Sequence, residues 1–209
     1  MIKILIADDH AVVRHGLKQI VMSDSQMMIV GEASNGNELL DLVRKTSVDV
    51  VVLDISMPGR NGLETLKDLK RGYPSLPVII LSMHPEDQYA VRVIKAGAAS
   101  YMNKETASDE LITAIKRVYR GGKYISPQIA ELLANHIQGN HQEEPHKSLS
   151  DRELEVFCSL AGGKTVGQIS EELNLSVKTI STYRTRILEK MNMTTNAELT
   201  RYAFDYKLL

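Results

Sequence analysis

Aromatic residues and cysteine are scarce in this sequence of 209 residues. It contains no tryptophan, and aromatic side chains make up 5% of it, so a core must be built from aliphatic side chains. The single cysteine, Cys158, can form neither an internal disulfide nor a cysteine-rich zinc cluster. Its presence as a lone thiol favours a reducing, cytoplasmic environment.

Long hydrophobic runs and an excess of one charge are also absent. No apolar run approaches the roughly 18 residues that a membrane-spanning helix needs, and the run before Asp8 is too short for a signal peptide. Lysine and arginine number 25 against 26 aspartates and glutamates, which gives a net charge of −1. This balance argues against a uniformly basic nucleic-acid-binding coat, an acidic disordered chain and a membrane partner.

Residues 1–124 alternate short apolar runs with segments of helical spacing. The third run, VDVVVLD, is apolar on consecutive positions, which indicates a strand buried on both faces. Strands separated by helices predict an α/β fold with a doubly wound, five-stranded parallel sheet. The predicted strands are Ile2–Asp8, Met28–Ala33, Val48–Asp54, Pro77–Ser82 and Ala99–Lys104.

The remainder of the chain contains no strand-like run. Residues 125–148 are predicted to be a linker that includes a short helix from Pro127. Residues 149–209 carry closely spaced helix-capping signals, which predict a small all-α domain of four helices. The length of the chain is consistent with two small domains. The expected N-caps are Ser150, Thr165, Ser176 and Thr195.

Five polar side chains fall where predicted strands end, namely Asp8, Asp9, Asp54, Ser82 and Lys104. In an open α/β sheet, ligands bind beyond the carboxyl ends of the strands, where the strand order reverses. Converging carboxylates repel each other unless a cation compensates, and Mg²⁺ is the divalent ion that favours oxygen ligands beside phosphate groups. A single aspartate at a strand end is more often a helix N-cap or a turn residue, so the prediction depends on the whole set.

The turn after the third strand has a sequence rich in turn-forming residues. Met57–Gly59 predicts a tight turn, in which Gly59 and Gly62 would allow backbone angles that other residues avoid.

The segment from Val177 onward has one apolar and one polar face at helical spacing. The apolar face, predicted to pack in the core, comprises Val177, Ile180, Ile187, Leu188 and Met191. The opposite face carries Lys178, Thr182, Thr185 and Arg186, with Thr179 and Ser181 beside it. Cationic side chains can bind the phosphates of DNA, and short side chains with hydroxyl groups can contact the edges of its bases. The alternative is an ordinary amphipathic helix whose polar face is solvated. Arg184 falls on the apolar side, where a salt-bridged or snorkelling role is expected.

The first part of the chain resembles the receiver domain of two-component response regulators. The resemblance covers residues 2–120 and rests on ILIADDH, VVLDISMPGRNGLE, VIILS and the strand that ends at Lys104. It implies a flavodoxin-like sheet of order 2-1-3-4-5. It also implies that Asp54 is the phosphoacceptor, which takes its phosphoryl group from a sensor histidine kinase.

The same resemblance implies further roles around the phosphoacceptor. Mg²⁺ would be bound by Asp9, Asp54 and the backbone carbonyl of Ser56, with Asp8 assisting. Ser82 and Lys104 would contact the phosphoryl group. Tyr101 occupies the place of an aromatic switch that turns inward, although a simple packed aromatic is the alternative.

The C-terminal part resembles the LuxR-type helix-turn-helix of the NarL/FixJ response regulators. The resemblance covers nearly all of residues 149–201, including L-S-x-R-E, Q-I-S-E-E-L and S-V-K-T-I. It implies base contacts from Ser181, Thr182 and Thr185, and phosphate contacts from Lys178, Thr179 and Arg186. Position 181 is often lysine in relatives and is serine here, so the target sequence cannot be transferred. The last helix dimerises the domain in this family.

Together these features predict a phosphorylation-controlled, DNA-binding transcriptional regulator and not a conventional enzyme. Phosphorylation would favour a homodimer that reads a near-palindromic site in double-stranded promoter DNA, with RNA polymerase as a further partner. Two alternatives remain. One is a metal-dependent phosphatase with an aspartyl nucleophile, although Ser56 stands where such enzymes have a second aspartate. The other is a regulator whose output uses no DNA.

Overall fold

The computed structural model describes residues 1–83, 86–105, 107–137, 144–206 and 208. The chain divides into two compact units, Met1–Leu133 and Ala134–Leu209. Part of the predicted linker, residues 138–143, lies outside the described residues, and the expected domain limits at 124 and 148 stay predictions.

The N-terminal unit is a five-stranded parallel sheet with the order β2-β1-β3-β4-β5, which confirms the predicted fold and strand order. The strands are β1 (Ile2–Ala7), β2 (Met27–Ala33), β3 (Val50–Asp54), β4 (Val78–Ser82) and β5 (Ser100–Asn103). The helices between and after them are α1 (Ala11–Met22), α2 (Gly36–Lys45), α3 (Gly62–Gly72), α4 (Glu86–Lys95) and α5 (Ala107–Tyr119).

Two predicted strands extend one residue too far. β1 ends at Ala7 and β5 ends at Asn103, so Asp8 and Lys104 are the first residues after their strands. The backbone N–H of Asp8 still donates to Ala33 (3.1 Å), and that of Lys104 donates to Ser82 (2.9 Å). These bonds fix the backbone of both residues at the end of the sheet. Because the two residues lie outside their strands, their side chains need not follow the alternation between the two faces of the sheet.

The core of this unit lies on both faces of the sheet and is mainly aliphatic, as predicted. Every residue of β3 and β4 is buried, which agrees with their continuous apolar sequences. On one face the central strands pack against α1 and α5, including Leu17, Val21, Leu111 and Ile115. The largest fully buried side chains of this unit include two tyrosines, Tyr89 and Tyr101.

The turn after β3 needs glycine for two different reasons. Gly59 has a φ of +75°, in the left-handed region that favours glycine. Gly62 does not, and the expectation that it relieves backbone angles is wrong. A Cβ on Gly62 would lie 2.1 Å from the carbonyl oxygen of Asp54 and 2.7 Å from Cα of Ile55. Glycine is required there because α3 begins in direct contact with the end of β3.

The C-terminal unit is helical. A short 3₁₀ helix (Pro145–Ser148) precedes α7 (Asp151–Ala161), α8 (Val166–Glu172), α9 (Val177–Met191) and α10 (Asn196–Asp205). Helix α6 (Pro127–Ile137) comes before them in the chain. The four expected N-caps are present, and those of α7, α8 and α10 are reciprocal capping boxes.

The apolar face of α9 packs in the core with one exception. Ile180, Ile187, Leu188 and Met191 are buried, but Val177 is 55% exposed, so its assignment to the core is wrong. Val177 is the first residue of the helix. Side chains of a helix point towards its N-terminus, so the first one projects beyond the helix end instead of onto the core.

No helix in the described part of the chain combines the length and apolar character needed to cross a membrane.

Replacing Gly62 with alanine should destabilise the protein, since the new methyl group meets backbone atoms that cannot move independently. We expect a loss of about 1–3 kcal/mol in the free energy of unfolding, measured by urea denaturation. Gly16→Ala is the matched control, because nothing lies within 4 Å of its Cβ position in α1. It should stabilise the protein by about 0.5–1 kcal/mol. Equal effects of the two substitutions would contradict the contact argument.

Candidate functional site

The carboxylates that follow β1 meet the carboxylate that ends β3. These strands are neighbours at the point where the strand order reverses, and Asp8, Asp9 and Asp54 converge there together with His10. One potential ligand atom from each of the four residues lies within 4.8 Å of all the others. The structure therefore brings together the three aspartates identified in the sequence and adds a histidine.

The ammonium group of Lys104 is shared by two of these carboxylates. Its Nζ lies 2.7 Å from Oδ2 of Asp8 and 2.8 Å from Oδ2 of Asp54. Both aspartates are buried, each with 1% of its surface exposed. Lys104 thus neutralises part of the negative charge at the end of an otherwise apolar sheet.

Burial dominates the electrostatics of Asp54. It raises the pKa of Asp54 to about 6, and the neighbouring charge of Asp8 adds to the rise, whereas Lys104 opposes it. Burial acts against the charged form of Lys104, but Asp54 and Asp8 outweigh it and raise the pKa of the ammonium group. The pair is therefore ionised at neutral pH, but Asp54 is held at the margin of protonation.

Backbone and arginine contacts fix the two acidic loops. Oδ1 of Asp54 accepts a hydrogen bond from the backbone N–H of Ser56 at 3.3 Å. Oδ1 of Asp8 accepts one from the backbone N–H of His10 at 2.8 Å, and Arg14 donates to the carbonyl oxygen of Asp8 at 2.7 Å. The loops are thereby held with their carboxylates facing each other.

The residues of this cluster fit a divalent cation. Three carboxylates against one ammonium leave two negative charges in excess when all four groups are ionised. Among the described residues, the buried Oδ2 atoms of Asp8 and Asp54 are contacted by the ammonium group of Lys104, and the buried Oδ1 of Asp9 is contacted by the imidazole of His10. Carboxylate oxygens held in this way, with only charge contacts, are suitable ligands for a hard metal ion.

Ser82 and Tyr101 lie on the neighbouring strands. Ser82 is buried at the end of β4, and its carbonyl oxygen binds the backbone of Lys104, so the serine and the lysine are held side by side. Tyr101 is in β5 opposite Ile80 and is 1% exposed. Its ring is already in the interior in this structure.

Two contributors to the site were not identified from the sequence. His10 was given no role, although its position directly after Asp8 and Asp9 is a signal that could have been used. Arg14 contacts the site through the backbone carbonyl of Asp8, six residues earlier in the chain, and nothing in the local sequence pattern indicates such a contact.

A second candidate site is the exposed face of α9. Lys178, Thr179, Thr182 and Arg186 line one shallow groove on this face, together with Ser176 and Tyr183. Ser181 and Thr185 are exposed but do not line the groove. Tyr183 was not identified from the sequence.

The hydroxyl groups on this face already have local partners. Thr182 donates to the carbonyl oxygen of Lys178 at 2.9 Å, and Thr185 donates to that of Ser181 at 3.1 Å. Their oxygens can still accept hydrogen bonds, which suits the amino groups of cytosine and adenine. Arg184 was expected to be salt-bridged or snorkelling, and in the structure its Nε donates to the side-chain oxygen of Asn196 at 2.7 Å.

Helix α10 has a buried and an exposed side. Leu199 and Ala203 are buried, whereas Phe204 is 78% exposed. Tyr202 stacks on Tyr206 and its hydroxyl lies 2.9 Å from Nδ1 of His146. Burial raises the pKa of Tyr202 to about 12, so this phenol stays neutral. The exposed phenylalanine leaves an apolar surface on this helix.

Comparison with known families identifies both units. The model for the response regulator receiver domain matches residues 4–116, and the model for bacterial regulatory proteins of the luxR family matches residues 147–203. The response regulator UvrY of Escherichia coli K12 is 40% identical over 209 residues, which cover 100% of this chain and 96% of UvrY. GacA of Pseudomonas aeruginosa is 40% identical over 97% of this chain and 95% of its own.

Solved structures agree with this assignment. RcsB from Salmonella enterica serovar Typhimurium, bound to promoter rprA in the presence of phosphomimetic BeF₃⁻, has a TM-score of 0.66 and 26% identity. The match covers 96% of this chain and 97% of RcsB. An RcsB–DNA complex has a TM-score of 0.60 and 28% identity over 97% and 98% of the chains. These comparisons favour the regulator and give the phosphatase alternative no support.

The raised pKa of Asp54 predicts a pH-dependent stability. The folded state binds the proton more tightly than the unfolded state, so this stabilisation is present at low pH and is lost as the pH rises through about 6. Asp54→Asn has no such titration. When the pH rises from about 5 to about 7.5, the free energy of unfolding of the wild type should therefore fall by about 1–2 kcal/mol relative to that of Asp54→Asn. Urea unfolding with a chelator present measures this difference, and parallel pH profiles would refute it.

Proposed function

The chain belongs to the response regulators that join a receiver domain to a LuxR-type DNA-binding domain, and we propose that phosphorylation of Asp54 controls its binding to promoter DNA. The observation that carries this proposal is the buried Asp54 carboxylate beside Lys104, in a cluster with two excess negative charges. The phosphoryl donor is a sensor histidine kinase.

The carboxylate of Asp54 acts as the nucleophile. One of its oxygens forms a bond to the phosphorus of the donor, and the bond from phosphorus to the donor nitrogen breaks. The product is an acyl phosphate on Asp54. The receiver catalyses this uptake and the slow hydrolysis that follows, because its own residues position and neutralise the reacting groups.

A magnesium ion is the proposed cofactor. Its ligands are the carboxylates of Asp8, Asp9 and Asp54 and the backbone carbonyl of Ser56, a set supported by the buried carboxylate oxygens and the excess charge. When bound, the ion neutralises the phosphoryl oxygens and so lowers the barrier to transfer.

Lys104 and Ser82 respond to the new group. Phosphorylation adds about −1.5 to −2 charge and strong hydrogen-bond acceptors. Lys104, which already lies 2.8 Å from Asp54, pairs with the phosphoryl oxygens, and the hydroxyl of Ser82 donates to them. The buried ring of Tyr101 fills the space beside them and stabilises this arrangement.

The helical domain, residues 149–209, delivers the output. Lys178, Thr179 and Arg186 bind phosphates of double-stranded DNA, and Ser181, Thr182 and Thr185 contact bases. The phosphorylated protein is a homodimer that reads a near-palindrome, and the exposed Phe204 on α10 supports an apolar contact. RNA polymerase is a further partner at the promoter, and the protein works in the cytoplasm, where the DNA lies.

The phosphoacceptor can be tested directly. Incubation with a small phosphodonor and Mg²⁺ should add one phosphoryl group to wild type and none to Asp54→Ala, as read by mass spectrometry of intact protein and peptides. Asp49→Ala is the matched control, because Asp49 lies at the opposite end of the sheet and binds the backbone of Lys3. Undiminished labelling of Asp54→Ala would overturn the proposal.

Control of DNA binding gives a separate test. A promoter fragment selected by binding should have higher affinity for wild type treated with the phosphodonor and Mg²⁺ than for untreated protein. Asp54→Ala should show no such increase. Equal affinities of treated and untreated wild type would show that phosphorylation is not the switch.

The two cations of α9 should act through phosphates. Lys178→Ala and Arg186→Ala should each weaken binding to all DNA sequences and reduce the slope of log affinity against log salt by about 1 per bound copy. Fluorescence anisotropy over a salt series measures both effects. Arg71→Ala is the control, since it removes an equally exposed charge from the receiver. An unchanged slope in both α9 variants would exclude these residues from the interface.

A further inference from the structure

His10 adds a nitrogen ligand to a cluster that otherwise contains only oxygen. Its Nδ1 lies 2.8 Å from Oδ1 of Asp9 and 3.5 Å from Oδ1 of Asp8. Together with Asp54, these residues present four potential ligand atoms within 4.8 Å of one another. Two ligands of one ion at normal bond lengths of about 2.0–2.2 Å lie at most about 4.4 Å apart, so a shift of a few tenths of an ångström is enough for these atoms to share one metal ion.

The ring of His10 is held by its contact with Asp9, and not by packing or by capping of α1. The His10 side chain is 67% exposed, and it makes no capping hydrogen bond although His10 is the N-cap residue of α1. Its backbone N–H is bound to Oδ1 of Asp8, which fixes the main chain at the rim of the cluster. The ring can therefore rotate towards a metal ion without disturbing the core.

We propose that His10 is a metal ligand that makes this site favour first-row transition metal ions over Mg²⁺. The inference rests on the proposed function, in which the cluster holds a divalent cation. Mg²⁺ prefers oxygen ligands and retains several waters, so it gains little from an imidazole. Mn²⁺, Co²⁺ and Zn²⁺ all accept imidazole as a ligand, and among them Mn²⁺ binds most weakly to a given site.

The proposal predicts competition at a single site. A transition metal ion would use the same carboxylates of Asp9 and Asp54 that hold Mg²⁺, and His10 would exchange its contact with Asp9 for the ion. The choice of metal then depends on a residue that the phosphoryl chemistry does not itself require. His10 would be a specificity-determining residue.

The chain supplies a matched control. His15 is exposed and lies in α1, five residues after His10, but it is not part of the cluster. His15→Ala should leave metal binding unchanged. His10→Ala removes the proposed ligand, and His10→Asn serves as a second variant that keeps a polar side chain at the helix N-cap.

Pulsed electron paramagnetic resonance of bound Mn²⁺ tests direct ligation by the full-length protein. We expect nitrogen modulation from a coordinated imidazole in wild type and in His15→Ala, and its loss in both His10 variants. Calorimetric titration with Co²⁺ and with Mg²⁺ gives the second readout. The ratio of Co²⁺ to Mg²⁺ affinity should fall by about tenfold or more in the His10 variants.

Two results would overturn the inference: no nitrogen modulation in wild type, or modulation that persists in the His10 variants. Phosphoryl labelling of wild type with Mg²⁺ separates this failure from that of the proposed function. If Asp54 is labelled while bound Mn²⁺ shows no nitrogen ligand, the role of His10 is wrong and the proposed function stands. If wild type binds neither ion and Asp54 is not labelled, both are wrong.

Discussion

Two buried carboxylates share one ammonium group at the end of the receiver sheet. Lys104 lies within 2.8 Å of both Asp8 and Asp54, and Asp9 adds a third negative charge. Burial raises the pKa of Asp54 to about 6, which shows how costly its charge is in this environment. The same cost favours the binding of a cation at the site, because an added positive charge stabilises the ionised carboxylates. The electrostatic strain and the capacity to bind a metal ion thus have one cause.

The aliphatic sheet produces this strain. Every residue of β3 and β4 is buried, so Asp54 follows a run of apolar side chains with little access to water. The start of α3 packs directly against the backbone of Asp54 and Ile55, and only glycine at position 62 allows that approach. Charged groups in such surroundings interact more strongly than at the surface. Packing around the end of β3 therefore sets the electrostatics of Asp54, the proposed phosphoacceptor.

The sequence was sufficient for features that follow from chain periodicity and from the ends of elements. Consecutive apolar residues indicated β3, and capping signals located the helices of the C-terminal unit. It was insufficient where three-dimensional contacts decide. Gly62 is required by a neighbouring backbone, Val177 is exposed because it is the first residue of its helix, and Arg14 reaches a carbonyl group across a loop. None of these contacts leaves a periodic trace in the sequence.

The backbone around the cluster indicates which loops can respond to phosphorylation. Arg14 and the N–H of His10 hold the Asp8 loop from α1, so this side of the site is fixed. Lys104 and Ser82 are joined through their backbones and follow the neighbouring strands β5 and β4. Ser82 is the last residue of β4, so a backbone shift of one of these two residues towards a phosphoryl group would be transmitted to the other through this hydrogen bond. Because Lys104 also neutralises Asp8, such a movement would leave Asp8 without its cation unless a metal ion were bound. In the proposed mechanism, Lys104 would therefore couple metal binding to the conformational response.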